Sequence, residues 1–148
     1  MALVEQSSDS AELLARGVCR MLAEMGYGAV CELALRNGRR ADVAALDGRG
    51  RLAIVEIKRS VADFRADRKW PDYLEYCDAF YFAVPAGFPT EILPGGTGLI
   101  VADRYGAEIV TPAPPVEPAM HPSRRKEVTL RFALCAALRL QGVLDPAP

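Results

Sequence analysis

The sequence predicts an α/β domain in which helices are layered on a mixed β-sheet. Three observations point there: an apolar stripe at helical spacing near the start, two glycine-centred hairpin patterns, and a later succession of short apolar runs and helical segments. With 148 residues, 51% of them hydrophobic and 25% charged, the chain suits one domain with a proper core, and a second full domain is not expected.

Asp9 followed by Glu12 resembles a capping box, and Leu13, Leu14, Gly17, Val18, Met21, Leu22 and Met25 recur at helical spacing until Gly26 and Gly28. "AVCELALR", a two-residue Asn37-Gly38 turn and "RRADVAAL" read as a hairpin. "DGRG" then turns the chain into "RLAIVEIK". Ser60 with Asp63 caps a helix expected to reach about Lys69, and Pro71 breaks or restarts it before "DYLEYC". "AFYFAV" has the aromatic and β-branched character of a strand buried on both faces. "GLIVAD" and "AEIVT" read as two more strands around a turn near Tyr105-Gly106. Residues 112–122, "PAPPVEPAMHP", are an extended connector, because proline cannot pair within a sheet. A last helix is expected from about Ser123 to Leu140, with Val128, Phe132, Cys135, Ala136 and Leu138 available to the core.

Composition narrows the function classes. No apolar run is long enough to span a bilayer and the first residues lack a secretion signal, so a cytoplasmic location is expected. Cys19, Cys31, Cys77 and Cys135 contain no CxxC pair, so reduced thiols without zinc are expected. His121 is the single histidine and gives little support to a Ser-His-Asp triad or a histidine metal site. The net charge of −1 hides a division: residues 36–69 hold ten basic and five acidic residues, a net of +5 in an otherwise acidic chain. Such a segment suits local contact with phosphates, although solvated charged faces are the commoner cause.

The chemistry concentrates in "RRADVAALDGRGRLAIVEIKRS". A hairpin centred on Arg49 sets Asp42 opposite Glu56, and the period of two brings Lys58 onto the same face. Two opposed carboxylates repel. A divalent cation such as Mg²⁺ (or Mn²⁺) reverses that, with the Ile57 carbonyl as a further oxygen and open positions for water and phosphate. Such an ion supports phosphodiester hydrolysis, and a nearby lysine positions the nucleophile or neutralises the phosphate. The plainer alternative is that Lys58 bridges Glu56 or Asp42 at a sheet edge, an exposed pair contributing roughly 0–1 kcal/mol.

Asp42, a turn, and "VEIK" behind an N-terminal helix and hairpin resemble the PD-(D/E)XK nuclease superfamily, which implies a restriction-endonuclease-like mixed sheet with the core order αβββαβ. "GRRADV", "VEIKRSVADFRADRKWPDYLEYCDAFYFAVP" and "GLIVAD" are similar to the MmcB-like family associated with bacterial DNA repair, over about Ala11 to Leu138. The resemblance implies Asp42 and Glu56 as metal ligands, Lys58 as the catalytic lysine, and DNA as partner, with other repair proteins as further candidates. Many relatives dimerise, so a homodimer is compatible with the resemblance, and the sequence leaves the oligomeric state open. Ala41 stands where the superfamily motif has its proline.

Around this centre, Arg39 and Arg40 flank Asp42, while Arg65, Arg68 and Lys69 recur at i, i+3 and i+4 as one basic helical stripe, candidates for gripping a DNA backbone. Trp70, Tyr73 and Tyr76 would stack on unpaired bases if exposed, though packing is expected for Trp70. Arg124, Arg125 and Lys126 oppose the dipole of their helix, which makes an external phosphate attractive. Glu12 lies opposite the apolar stripe and Glu24 near its border, so neither is expected as a ligand, nor is Glu32, because a two-residue Asn37-Gly38 turn pairs Leu33 with Asp42. The sequence thus supports a metal-dependent DNA nuclease first, a non-cleaving DNA-structure binder or scaffold second, and an ordinary interaction domain with a structural ion pair third.

Overall fold

In the computed structural model, which describes residues 9–148, helix α1 covers Ala11–Glu24 and is followed by strands β1 (Gly28–Ala34), β2 (Arg40–Leu46) and β3 (Leu52–Ile57). Helix α2 (Val61–Ala66) and a 3-10 helix over Trp70–Tyr76 lead to β4 (Ala79–Val84), β5 (Gly98–Ala102) and β6 (Ala107–Thr111), and α3 (Pro122–Leu144) closes the chain. The six strands form one mixed sheet in sequence order, parallel at β3–β4 and β4–β5 and antiparallel elsewhere. Parallel neighbours need a crossover, and between β3 and β4 it is made by α2 and the 3-10 helix.

Alternation along the strands divides the core in two. Val43, Ala45, Val55, Ile57 and Ile100 face the apolar stripe of α1, which buries Leu14, Val18 and Leu22. Leu33, Ala44, Ile54, Phe80 and Phe82 face Tyr73, Tyr76, Val128 and Phe132 on the other side. Phe80 and Phe82 meet edge to face at 5.1 Å between ring centres, and Trp70 packs 5.6 Å from each. Such contacts add about 0.5–1.5 kcal/mol each beyond area burial. Asp78 anchors one end: it bonds the Leu52 N–H at 2.8 Å and takes two bonds from Arg125, whose guanidinium also reaches the Gly50 carbonyl.

Several local expectations are corrected. Ser10, not Asp9, caps α1, its hydroxyl accepting from the Leu13 N–H, while Asp9 is buried against Arg104. The first turn has three residues, because a turn from Leu35 to Gly38 closes with Gly38 at φ 85°, a backbone that glycine adopts without steric cost. Helix α2 stops at Ala66, since Asp67 is extended, its carboxylate drawn to Lys58 and to the Lys69 N–H; Arg68 and Lys69 therefore fall beyond the helix and form no stripe with Arg65. Tyr73 and Tyr76 are buried and offer no stacking platform. Arg125 is held by Asp78 and Arg124 lies 4.4 Å from the Tyr76 ring centre, so both have internal partners. Met25 and Leu138 are exposed, and His121 caps α3 through Nδ1.

Gly17 is where α1 touches the β5–β6 turn. A Cβ there would sit 1.8 Å from the Asp103 carbonyl oxygen, a backbone atom that cannot move alone. Gly17→Ala gains about 1 kcal/mol of helix propensity but forces α1 off the sheet, and overpacking of this kind costs about 3 kcal/mol. Net destabilisation by about 2 kcal/mol in urea unfolding is expected; an unchanged midpoint would contradict the close approach.

Candidate functional site

The site lies where β2 and β3 part. Their pairing runs from Leu46 opposite Leu52 to Val43 opposite Val55, the register predicted for a turn centred on Arg49, and one step on Asp42 meets Glu56. Backbone-to-backbone bonding gives way to side chains at this step. The Asp42 N–H donates to Glu56 Oε1 at 3.0 Å, and the Ile57 N–H donates to Asp42 Oδ2 at 2.8 Å. Each carboxyl group thus bonds the backbone of the opposite strand.

Electrostatics follow from burial. Glu56 is only 4% exposed; desolvation first and the charge of Asp42 second push its carboxyl up to about 8. Asp42 is also raised, again chiefly by desolvation, although its bonds from Ile57 and Glu56 and the field of Lys58 oppose the rise. Lys58 is buried, and its ammonium sits 2.7 Å from Asp67 Oδ2 instead of bridging the acidic pair. Desolvation works to raise Asp67, but the Lys58 hydrogen bond and the bond from the Lys69 N–H hold its carboxyl below the usual range. The Tyr73 hydroxyl donates to the Arg40 carbonyl at 3.0 Å and braces β2 beside Asp42. Burial, then the fields of Glu56 and Asp42, raise that hydroxyl's pKa.

A cavity of about 260 Å³ reaches Asp42 from the α1 side, lined in part by Glu12, Cys31, Glu32, Asp42, Ile57 and Arg139. The register that turned Glu32 away from Asp42 does not hold. The β1–β2 pairing sets Leu33 opposite Ala41 and Cys31 opposite Val43, so Glu32 falls across from Asp42. Glu32 has φ 53°, an unusual backbone for a residue with a side chain, and the core-facing alternation of β1 slips by one there. Arg139 of α3 donates to the carbonyls of Cys31 and Glu32 and holds that bend. Arg139 and Asp67 carried no local signal, since each acts through a partner distant in sequence or across a loop.

The basic candidates surround the site unevenly. Arg39 pairs with Asp72 at 3.1 Å, and Arg40 lies 3.7 Å from Glu32. Arg65, Arg68 and Lys69 are exposed on α2 and the segment after it. Among the described residues no group of three acidic, thiol or imidazole side chains is arranged around one point. The donor set nevertheless fits a hard divalent cation, because Mg²⁺ commonly takes only one or two carboxylates and both carboxyl groups here have raised pKa values that a cation would relieve.

The architecture is thus a mixed α/β fold with a six-stranded sheet flanked by helices, carrying an opposed acidic pair, Glu56 buried and Asp42 half-buried, at a strand fork. The chain belongs to the MmcB-like family of DNA repair proteins, whose model matches residues 2–147. It is also similar to a solved structure, the SPO1766 protein of unknown function from Silicibacter pomeroyi, with 45% identity, a TM-score of 0.89 and 93% of each chain covered. No curated protein matches the chain. No helix among the described residues is long and apolar enough to cross a membrane.

The raised pKa of Glu56 has a definite sign in stability. Below the unfolded value of 4.5 both states hold the proton; between there and about 8 only the folded state does, so stability falls as pH rises through that window. Glu56→Gln keeps an oxygen for the Asp42 N–H and removes the titration. Its urea midpoint should lose the decline between pH 5 and 8 and exceed the parent at pH 8 by on the order of 1–3 kcal/mol. Parallel pH profiles for the two proteins would show that Glu56 does not hold its proton.

Proposed function

We propose that this protein hydrolyses DNA phosphodiester bonds during repair, using Mg²⁺ or Mn²⁺ held by Asp42, Glu56 and the Ile57 carbonyl. The observation that carries the reading is the opposed carboxyl pair, each held by a backbone N–H of the other strand, with a buried lysine two residues beyond Glu56. Membership of a DNA repair family supports DNA, and proteins acting on the same lesion, as partners. A bound divalent ion would lower the pKa of a water and neutralise charge developing on the phosphate.

The chain's own residues do the rest. The bonds to the Ile57 and Asp42 N–H groups hold one oxygen of each carboxylate in place, so the pair is set before any ligand arrives. Burial of Glu56 keeps water from screening the charges there. Lys58 supplies a cation to orient the nucleophile or meet the phosphate. Arg40, Arg65, Arg68 and Lys69, with Arg39 from its pair with Asp72, would hold the backbone.

A second reading, a nuclease-fold protein that binds DNA structures without cutting, is favoured by one specific contact. The Lys58 ammonium is already neutralised by Asp67 at 2.7 Å, so in this arrangement it is committed to a structural pair.

Two measurements separate the readings. Saturable Mn²⁺ binding, read as a rise in melting temperature, should vanish in Asp42→Ala. Cleavage of single-stranded, nicked, branched and damaged DNA should require Mg²⁺ or Mn²⁺ and fall at least about 100-fold in Glu56→Ala and Lys58→Ala. DNA binding without metal-dependent cleavage on any of these substrates would establish the second reading instead.

A further inference from the structure

Cys31, which lines the same cavity, meets a second cysteine behind it. Cys19 projects from α1 and Cys31 from β1, twelve residues apart, with their sulfurs at 3.7 Å. Both are half-buried, and Cys31 lines the 260 Å³ cavity beside the exposed Glu12 and Glu32, so a small solute can reach it. The other two thiols are placed differently. Cys77 is fully buried among aromatic and apolar side chains, donating to the Tyr73 carbonyl, and desolvation pushes it up to about 12. Cys135 sits on α3, where it packs against the opposite core.

We propose that Cys19 and Cys31 are a redox modification site, closing into a reversible disulfide when a peroxide enters the cavity. A disulfide needs sulfurs about 2.05 Å apart, so closure requires the two to approach by a little over 1.5 Å, within reach of side-chain rotation. Cys31, unlike Cys19, lines the cavity, and the hydrogen bond from Cys19 and the field of Arg139 lower its thiol against the opposing effect of burial, so Cys31 is the attacking sulfur.

The chemistry balances in two steps. The Cys31 thiolate attacks one peroxide oxygen; a sulfur–oxygen bond forms, the oxygen–oxygen bond breaks, and hydroxide leaves as water after taking a proton, with Cys31 as sulfenic acid. The Cys19 sulfur then attacks that sulfur, the sulfur–sulfur bond forms, and a second water departs with the sulfenic oxygen. Two thiols lose two electrons and two protons, and one peroxide becomes two waters. A dithiol reductant reverses the change. The bond would staple α1 to the strand residue next to Glu32 and forms whether or not the acidic pair cuts DNA.

The test uses the full reduced chain and hydrogen peroxide in slight excess, followed by alkylation in denaturant and peptide mapping. The expected result is loss of two of the four thiols, an intact mass lower by two hydrogens, a peptide joining Cys19 to Cys31, and recovery of all four thiols with dithiothreitol. In Cys19→Ser the reaction should stop at a Cys31 sulfenic acid trapped by dimedone, and in Cys31→Ser no intramolecular disulfide should form. Retention of four thiols in the parent, or a disulfide mapped to Cys77 or Cys135, would overturn the proposal, and either result is read on the unmodified chain without relying on the variants.

Discussion

The arrangement depends on two hydrogen bonds that cross between β2 and β3, from the Asp42 N–H to Glu56 and from the Ile57 N–H to Asp42. They occupy the step where backbone pairing ends, so they do the work of a ladder rung while holding two carboxyl groups face to face. Burying such groups without partners is costly, and the backbone donors, the raised proton affinity of Glu56 and the field of the nearby Lys58 each offset part of that cost. What remains is a local excess of negative charge that only a positive ligand or a proton relieves.

The surroundings are organised by the same demand. Lys58 is turned toward Asp67, and Asp67 in turn ends α2 early and leaves Arg68 and Lys69 in an irregular segment. Tyr73 ties Arg40 to the aromatic layer, while Arg139 reaches from α3 to the carbonyls of Cys31 and Glu32. The walls around Asp42 thus come from α1, β1 and α3 as well as from its own hairpin. An isolated hairpin could supply the acids but not this enclosure.

Most of the strand plan was legible because its causes are local: alternation, apolar runs and glycine turns act within a few residues. The register about Arg49 followed from turn symmetry, and with it the opposition of Asp42 and Glu56. The first hairpin was displaced by one residue because a three-residue turn and a left-handed Glu32 cannot be told from a tight Asn-Gly turn by sequence pattern. That single step decided whether Glu32 lay beside Asp42. Ser60 with Asp63 announced the start of α2, but its end was set by an ion pair across a loop.

The sequence alone determined which residues could carry the chemistry, since paired acids and a lysine at strand spacing are a property of side-chain order. The helix, hairpins and apolar strands were likewise written in short-range pattern. Tertiary structure decided which of those charges are buried, which are paired, and what lines the path to them. Desolvation and ion pairing act through distance in space, and Asp67, Arg139 and Cys19 reach this region only when separate elements pack together.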